Sequence, residues 1–208
     1  HYFESNSRMT GDEIEKIKSE LGIKAGLVIF YAGQLIERKG VYDLLDAFSR
    51  IKKEVPDVTL LIAGTGMEED KLKNICVKEG VKDVVFAGFV DYNRLPKYFG
   101  IADLFVLPSH EEVWGLVINE AMVSGLPIVT TKKVGASVDL VIDGVNGFTI
   151  NEKSPLELYN SMKRILLDPA LRQKMGNSSR QIISNFNIEH TAEGVKAAIS
   201  YACRENQL

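Results

Sequence analysis

Six short apolar runs, separated by stretches with helical spacing, constrain this chain more than any other feature of its sequence. They are Leu27–Tyr31, Val58–Ala63, Val84–Ala87, Leu104–Leu107, Pro127–Thr130 and Gly147–Ile150. Most are apolar throughout instead of alternating, the pattern of strands covered by helices on both faces. Between the first two, Leu44, Leu45, Phe48 and Ile51 recur at helical spacing within Val41–Glu54. Further helices are expected over Asp12–Leu21, Met67–Lys78, Arg94–Phe99, Trp114–Val123, Pro155–Leu167, Ala170–Asn185 and Ile188–Cys203. Gly64-Thr65-Gly66, Pro108 and Asp143-Gly144-Val145-Asn146-Gly147 supply the turn signals. The βαβα order predicts an α/β fold, a doubly wound parallel six-stranded sheet flanked by helices.

Ligands of such a sheet sit at the carboxyl ends of its strands. Chemistry is therefore expected in the loops after Tyr31, Ala63, Ala87, Leu107 and Thr130. Composition narrows the partners. A chain of 208 residues, 45% hydrophobic and 25% charged, suits one globular domain. Its 25 Lys and Arg against 28 Asp and Glu leave a net charge of -3, so the overall charge does not drive it toward nucleic acid or an anionic membrane, while a local basic site stays open. No apolar run approaches the roughly 20 residues that span a bilayer. Cys76 and Cys203 lie far apart and outside any Cys-x-x-Cys pattern, which suggests neither a metal site nor a disulfide framework and fits a reduced cytoplasmic setting. Residues 1–24 read as an irregular polar start, like the tail of a linker, followed by a leading helix. Residues 25–186 read as the domain proper, and 187–208 as a C-terminal helix.

Two loops carry candidate chemistry. The first runs from Gly33 through Gln34, Arg38 and Lys39 to Gly40 and enters the helix at Val41. Glycine allows close backbone approach, and a helix start offers free N–H groups to a phosphate. Lysine is unfavourable at a helix start on stability grounds alone, which an anion would explain. From this stretch alone, solvated cations offset by Glu37 are an equal reading. Gly64-Thr65-Gly66 lacks the third glycine of a dinucleotide fingerprint, and there is neither a Walker-type loop nor an Asp-x-Asp pair for a metal. The second loop contains Glu112, with Glu120 eight positions later inside the expected helix. Glu120 is flanked by Val117, Ile118, Ala121 and Met122, and an acid near an apolar face needs hydrogen-bond partners. Vicinal ribose hydroxyls would serve. Gly115 would let backbone N–H groups meet a sugar or phosphate.

The stretch Glu112-Val-Trp-Gly-Leu-Val-Ile-Asn-Glu120-Ala-Met-Val-Ser-Gly-Leu-Pro resembles the Glu, seven residues, Glu signature of family-4 retaining glycosyltransferases of the GT-B fold. Gly33-Gln34-Leu35 with Lys39-Gly40, Leu61–Gly66, Val85–Val90 with Leu95-Pro96, Ala102–Ser109 and Asp143–Phe148 resemble that family in the same order. The resemblance spans roughly Ile29 to Phe186 and implies a Rossmann-like domain, the carboxy-terminal half of a GT-B enzyme. It further implies transfer of a glycosyl group from a nucleoside diphosphate sugar to an acceptor hydroxyl, with no metal and no cofactor beyond that donor. On it, Glu112 meets donor sugar hydroxyls near the reacting carbon and Glu120 binds the ribose. Lys39, with backbone N–H groups of Gly115, Leu116 and Val117, neutralises the diphosphate. The backbone near Phe89 and Val90 holds the base. The family usually has arginine where this chain has Gln34, and Arg38 is the neighbouring cation that could compensate.

The partners implied are the donor and an N-terminal acceptor-binding domain absent from this chain, toward which the last helix would cross. The fragment alone is expected not to transfer sugar, and the full-length enzyme to be cytoplasmic or peripheral to a membrane. Two other readings stay open: another GT-B-type enzyme, such as a sugar-nucleotide epimerase or phosphorylase, and a non-catalytic nucleotide-binding module. Among the remaining residues, His110 is a candidate to touch the sugar, against the plainer reading of a loop histidine. Trp114 reads as a packing residue, and Lys132 and Lys133 as phosphate-side charges or a solvated pair.

Overall fold

The computed structural model describes residues 2–24, 26–186 and 188–205. Positions 1, 25, 187 and 206–208, which include both expected domain boundaries, lie outside the described residues. Strand β1 (Leu27–Ala32) pairs along its whole length with β2 (Val58–Ala63), and β2 with β3 (Val84–Gly88). On its other side β1 pairs with β4 (Leu104–Leu107), followed outward by β5 (Ile128–Thr131) and β6 (Gly147–Ile150). Every pairing is parallel and the order is β3-β2-β1-β4-β5-β6, the doubly wound order expected from the sequence.

The helices are α1 (Tyr2–Ser7), α2 (Gly11–Glu20), α3 (Val41–Glu54), α4 (Glu69–Glu79), α5 (Leu95–Gly100), α6 (Leu116–Val123), α7 (Gly135–Leu140), α8 (Pro155–Leu167), α9 (Pro169–Ile183) and α10 (Ile188–Glu205). Their ends follow local chemistry. Thr10 and Glu13 form a capping box on α2, the Thr10 N–H donating to Glu13 Oε2 at 2.8 Å. Asp168 caps α9, accepting from the Leu171 N–H at 2.9 Å, with Pro169 in the first turn. The apolar stripe of α3, Leu44, Leu45, Phe48 and Ile51, is buried, and α3 packs on α8. Under β1 and β4 lies an aromatic cluster. Phe30 meets Phe99 edge to face at 5.1 Å between centroids, and Phe99 lies 5.5 Å from Phe105. At the amino end of the same strands, the Val28 N–H donates to Asp103 Oδ2 at 2.9 Å, and Arg172 stands 3.5 Å from the same carboxylate.

Three local expectations need correction. The opening stretch, read as irregular, contains helix α1. Phe3 buries itself against Tyr92 and Phe99 at 5.1 and 5.7 Å, and such contacts sustain a helix too short to form alone. Helix α7 was not expected, since Gly135-Ala-Ser-Val-Asp-Leu140 has poor intrinsic helix propensity. Helix α6 starts at Leu116, not at Trp114, because Gly115 holds a left-handed φ of 91°. In α10 the side chains of Val195 and Ile199 are exposed. No described helix is long and apolar enough to cross a membrane.

Phe30 is fully buried at the junction of β1 and β4. Phe30→Ala should cost about 3–5 kcal/mol through lost burial and a residual cavity. Urea unfolding should show a lower midpoint at an unchanged slope.

Candidate functional site

Strands β1 and β4 are neighbours, yet the chain leaves them toward opposite edges of the sheet. A crevice therefore opens beyond their carboxyl ends. The loop after β1 (33–40) and the loop after β4 (108–115) line it, and several contacts fasten the two together. The His110 N–H donates to the Arg38 carbonyl at 2.7 Å, and the Arg38 guanidinium donates to the Glu111 carbonyl at 3.2 Å. His110 Nε2 lies 2.6 Å from Asp43 Oδ2 in the first turn of α3. Lys39 Nζ forms an ion pair with Glu112 Oε2. Gly40, at φ 67°, closes the approach, for a Cβ there would sit 2.0 Å from the Pro108 carbonyl oxygen. Beneath the first loop Tyr31 is fully buried and donates its hydroxyl to the Gln34 carbonyl at 2.8 Å. Burial, and secondarily the Glu112 charge, hold its phenol far above the ordinary range, so it stays neutral.

The second loop is braced from behind. The Glu112 N–H donates to the Lys133 carbonyl at 3.1 Å, and the Gly135 N–H to the Glu112 carbonyl at 3.0 Å. The Ala136 N–H donates to the Trp114 carbonyl at 2.8 Å. A Cβ on Gly115 would sit 2.9 Å from Val134 Cγ1 and meet Leu107 and Glu112 as well. Gly115 opens α6 without a side-chain cap. The first N–H groups of that helix, at Leu116 and Val117, have no partner one turn earlier and carry the positive dipole end.

Glu120 lies one turn deeper on α6, half-buried, next to the fully buried Ile118 and Ala121. Among the described residues no hydrogen-bond donor meets its carboxylate, and burial pushes the group up to about 7 from an ordinary 4.5. Tyr92, after β3, is close enough that the Glu120 charge adds to burial in raising its phenol.

The structure thus brings Gly33, Gln34, Arg38, Lys39, His110, Glu112, Gly115, Leu116 and Val117 to the β1/β4 crevice. Phe89 and Val90 follow the end of β3, on the β2 side of that crevice, Phe89 being largely exposed and Val90 half-buried. Trp114, expected as a packing residue, is 39% exposed and donates its indole N–H to Asn119 Oδ1 at 3.1 Å. Lys132 bonds Asn151 at 3.2 Å and Lys133 lies 3.8 Å from Glu152, beside β6. Tyr31 and Asp43 escaped the sequence reading. Tyr31 reads only as a strand residue, and an acid in the first turn of a helix reads as a dipole complement. Among the described residues no cluster of three His, Cys, Asp or Glu side chains could hold a metal ion.

The family model described as glycosyl transferases group 1 matches residues 13–182. The glycogen synthase of Mycobacterium tuberculosis is 34% identical over 166 residues, covering 79% of this chain and 40% of that protein. The D-inositol 3-phosphate glycosyltransferase of an Arthrobacter species is 30% identical over 181 residues, covering 84% and 43% respectively. The chain therefore spans less than half the length of either relative. Among solved structures, the Anabaena protein HepE in complex with UDP superposes with a TM-score of 0.82 at 26% identity, over 95% of this chain and 55% of that one. The C-terminal domain of a group 1 glycosyl transferase from Francisella tularensis superposes at 0.79 and 24% identity, over 89% of this chain and 98% of its own, a likeness of fold.

The Glu120 environment gives a pH signature. Its proton is held more tightly in the folded than in the unfolded chain, so this group lowers stability progressively as pH rises from about 4.5 to about 7, and by a constant amount above that. Glu120→Gln removes the penalty. The variant should melt higher than the parent at pH 8 and together with it below pH 4, as read by thermal unfolding.

Proposed function

This chain belongs to the glycosyl transferases group 1 family, and from that premise we propose that it is the donor-binding half of a retaining GT-B glycosyltransferase. The match over residues 13–182 bears out the resemblance read from the sequence. The observation that carries the finer reading is Glu120, a half-buried carboxylate beside the crevice that no described residue supplies with a donor. Vicinal hydroxyls are the natural complement to such a group. That a neighbour of the same fold, HepE, holds UDP supports a nucleotide as their source.

In this reading Glu120 accepts from the ribose hydroxyls, and the backbone around Phe89 and Val90 holds the base. The diphosphate lies between Lys39 and the start of α6, where the N–H groups of Gly115, Leu116 and Val117 face it. Arg38 adds charge where Gln34 cannot, and the missing side chain of Gly33 lets the loop settle on the Tyr31 hydroxyl, which a Cβ there would meet at 2.9 Å. Glu112 meets the sugar hydroxyls, with His110 beside it, oriented by Asp43. As the glycosyl bond breaks, the sugar approaches an oxocarbenium ion and negative charge grows on the diphosphate. Lys39 and the helix end stabilise that leaving charge, so no metal is required.

Residues 25–186 are the binding unit, and helix α10 (Ile188–Glu205) crosses toward an acceptor-binding domain outside this chain. That domain would carry acceptor recognition, so the chain alone binds donor without transferring sugar. The full-length enzyme would work in the cytoplasm or at a membrane surface.

Calorimetric titration with UDP, GDP and ADP tests the reading. One nucleotide should bind saturably, and Glu120→Ala should abolish the binding. Around pH 6 binding should release protons, because ribose donors stabilise the Glu120 carboxylate; titrations in buffers of different ionisation enthalpy measure this. EDTA should leave the affinity unchanged. A well-folded sample that binds none of the three sinks the donor site, and sugar transfer by the isolated chain sinks the claim of inactivity.

A further inference from the structure

Lys39 and Glu112 neutralise one another inside the crevice. Their side chains are only 13% and 17% exposed, so the attraction acts with little water between or around them. The Glu112 backbone is pinned on both sides, its N–H on the Lys133 carbonyl and its carbonyl on the Gly135 N–H. A carboxylate on so fixed a backbone has little room to withdraw. Arg38 is engaged by the Glu111 carbonyl, so Lys39 is the crevice cation already paired with an anion of this chain.

We propose that Glu112 acts as an internal ligand of Lys39 and thereby tilts the site toward sugar-bearing donors and away from the bare nucleoside diphosphate. The inference rests on the donor-site reading above. An incoming diphosphate must take Lys39 from Glu112, which leaves a shielded carboxylate unpaired beside phosphate charge. A donor sugar offers hydroxyls that re-partner that carboxylate, whereas the bare nucleoside diphosphate offers none. After transfer, the sugar hydroxyls leave with the acceptor and Glu112 again competes for Lys39. The same contact therefore assists departure of the spent nucleotide.

The test compares wild type with Glu112→Gln, Glu112→Ala and Lys39→Met of the 208-residue chain. Each is titrated with UDP, GDP and ADP and with their glucose conjugates. Glu112→Gln should bind the preferred bare nucleotide about tenfold more tightly, the worth of one charge-assisted contact regained. Its affinity for the conjugate should gain less or fall, so the preference for the conjugate shrinks relative to wild type. Glu112→Ala should act in the same direction, which covers a failure of either variant to fold. Lys39→Met should weaken both ligands. Bare nucleotide binding that is unchanged or weaker in both Glu112 variants, but is weakened in Lys39→Met, overturns the inference and leaves the donor site standing. Binding that is as tight in Lys39→Met as in wild type, or is absent throughout, overturns the donor-site reading and this inference with it.

Discussion

The pairing of β1 with β4 is the join on which the rest of the molecule depends. The chain lays β1, β2 and β3 outward in one direction, then returns to the far side of β1 and grows the other way. The hydrogen-bonded register at that return is short, Ile29 against Leu104 and Phe30 against Phe105. It is secured from both ends. Phe30, Phe99 and Phe105 fill the space beneath it, and Asp103 fastens the start of β1 to the start of β4. A parallel sheet cannot make this return without diverging loops above it, so the crevice follows from the topology.

What fills the crevice follows in turn from how tightly its two loops are drawn together. Two of the contacts use the backbone, the His110 N–H on the Arg38 carbonyl and the Arg38 guanidinium on the Glu111 carbonyl, and two join side chains, His110 with Asp43 and Lys39 with Glu112. This fastening leaves the uncapped start of α6 at the rim. Glu120 stands apart from this lattice of contacts. Like the buried Ser109 hydroxyl in the loop after β4, it is a polar group whose needs the described chain does not meet.

Much of this was legible in the sequence, for identifiable reasons. Strands enclosed on both faces have little freedom in composition, so all six read clearly, with ends displaced by a residue where Pro127 lacks an N–H to donate. The long amphipathic α3 and α8 read clearly as well. Helices α1 and α7 did not, because six residues of mixed propensity become helical only through tertiary contacts such as Phe3 on Phe99. At the site, Lys39 and Glu112 stood out singly as a cation at a helix start and an acid in a loop. Their pairing across 73 positions could not be seen, since it exists only once β1 and β4 are adjacent. Asp43 was hidden for the same reason, its partner lying 67 positions away. Trp114 misled because large aromatic side chains are usually buried, whereas here the left-handed turn at Gly115 turns it outward.

The rim contains two kinds of position with different evolutionary prospects. At Gly40 and Gly64 any side chain would strike a carbonyl oxygen of the facing loop, at 2.0 and 1.9 Å. Close by, Met67, Phe89 and Val113 stand 83, 76 and 93% exposed on the loops of the rim, and Leu116 63% exposed at the start of α6. Substitutions at these tips remove few internal contacts, so they alter what the rim presents at little cost in stability. A lineage can therefore change what the rim contacts by rewriting the tips while the frame beneath them stays fixed. Innovation and foldability are carried by different residues of the same few loops.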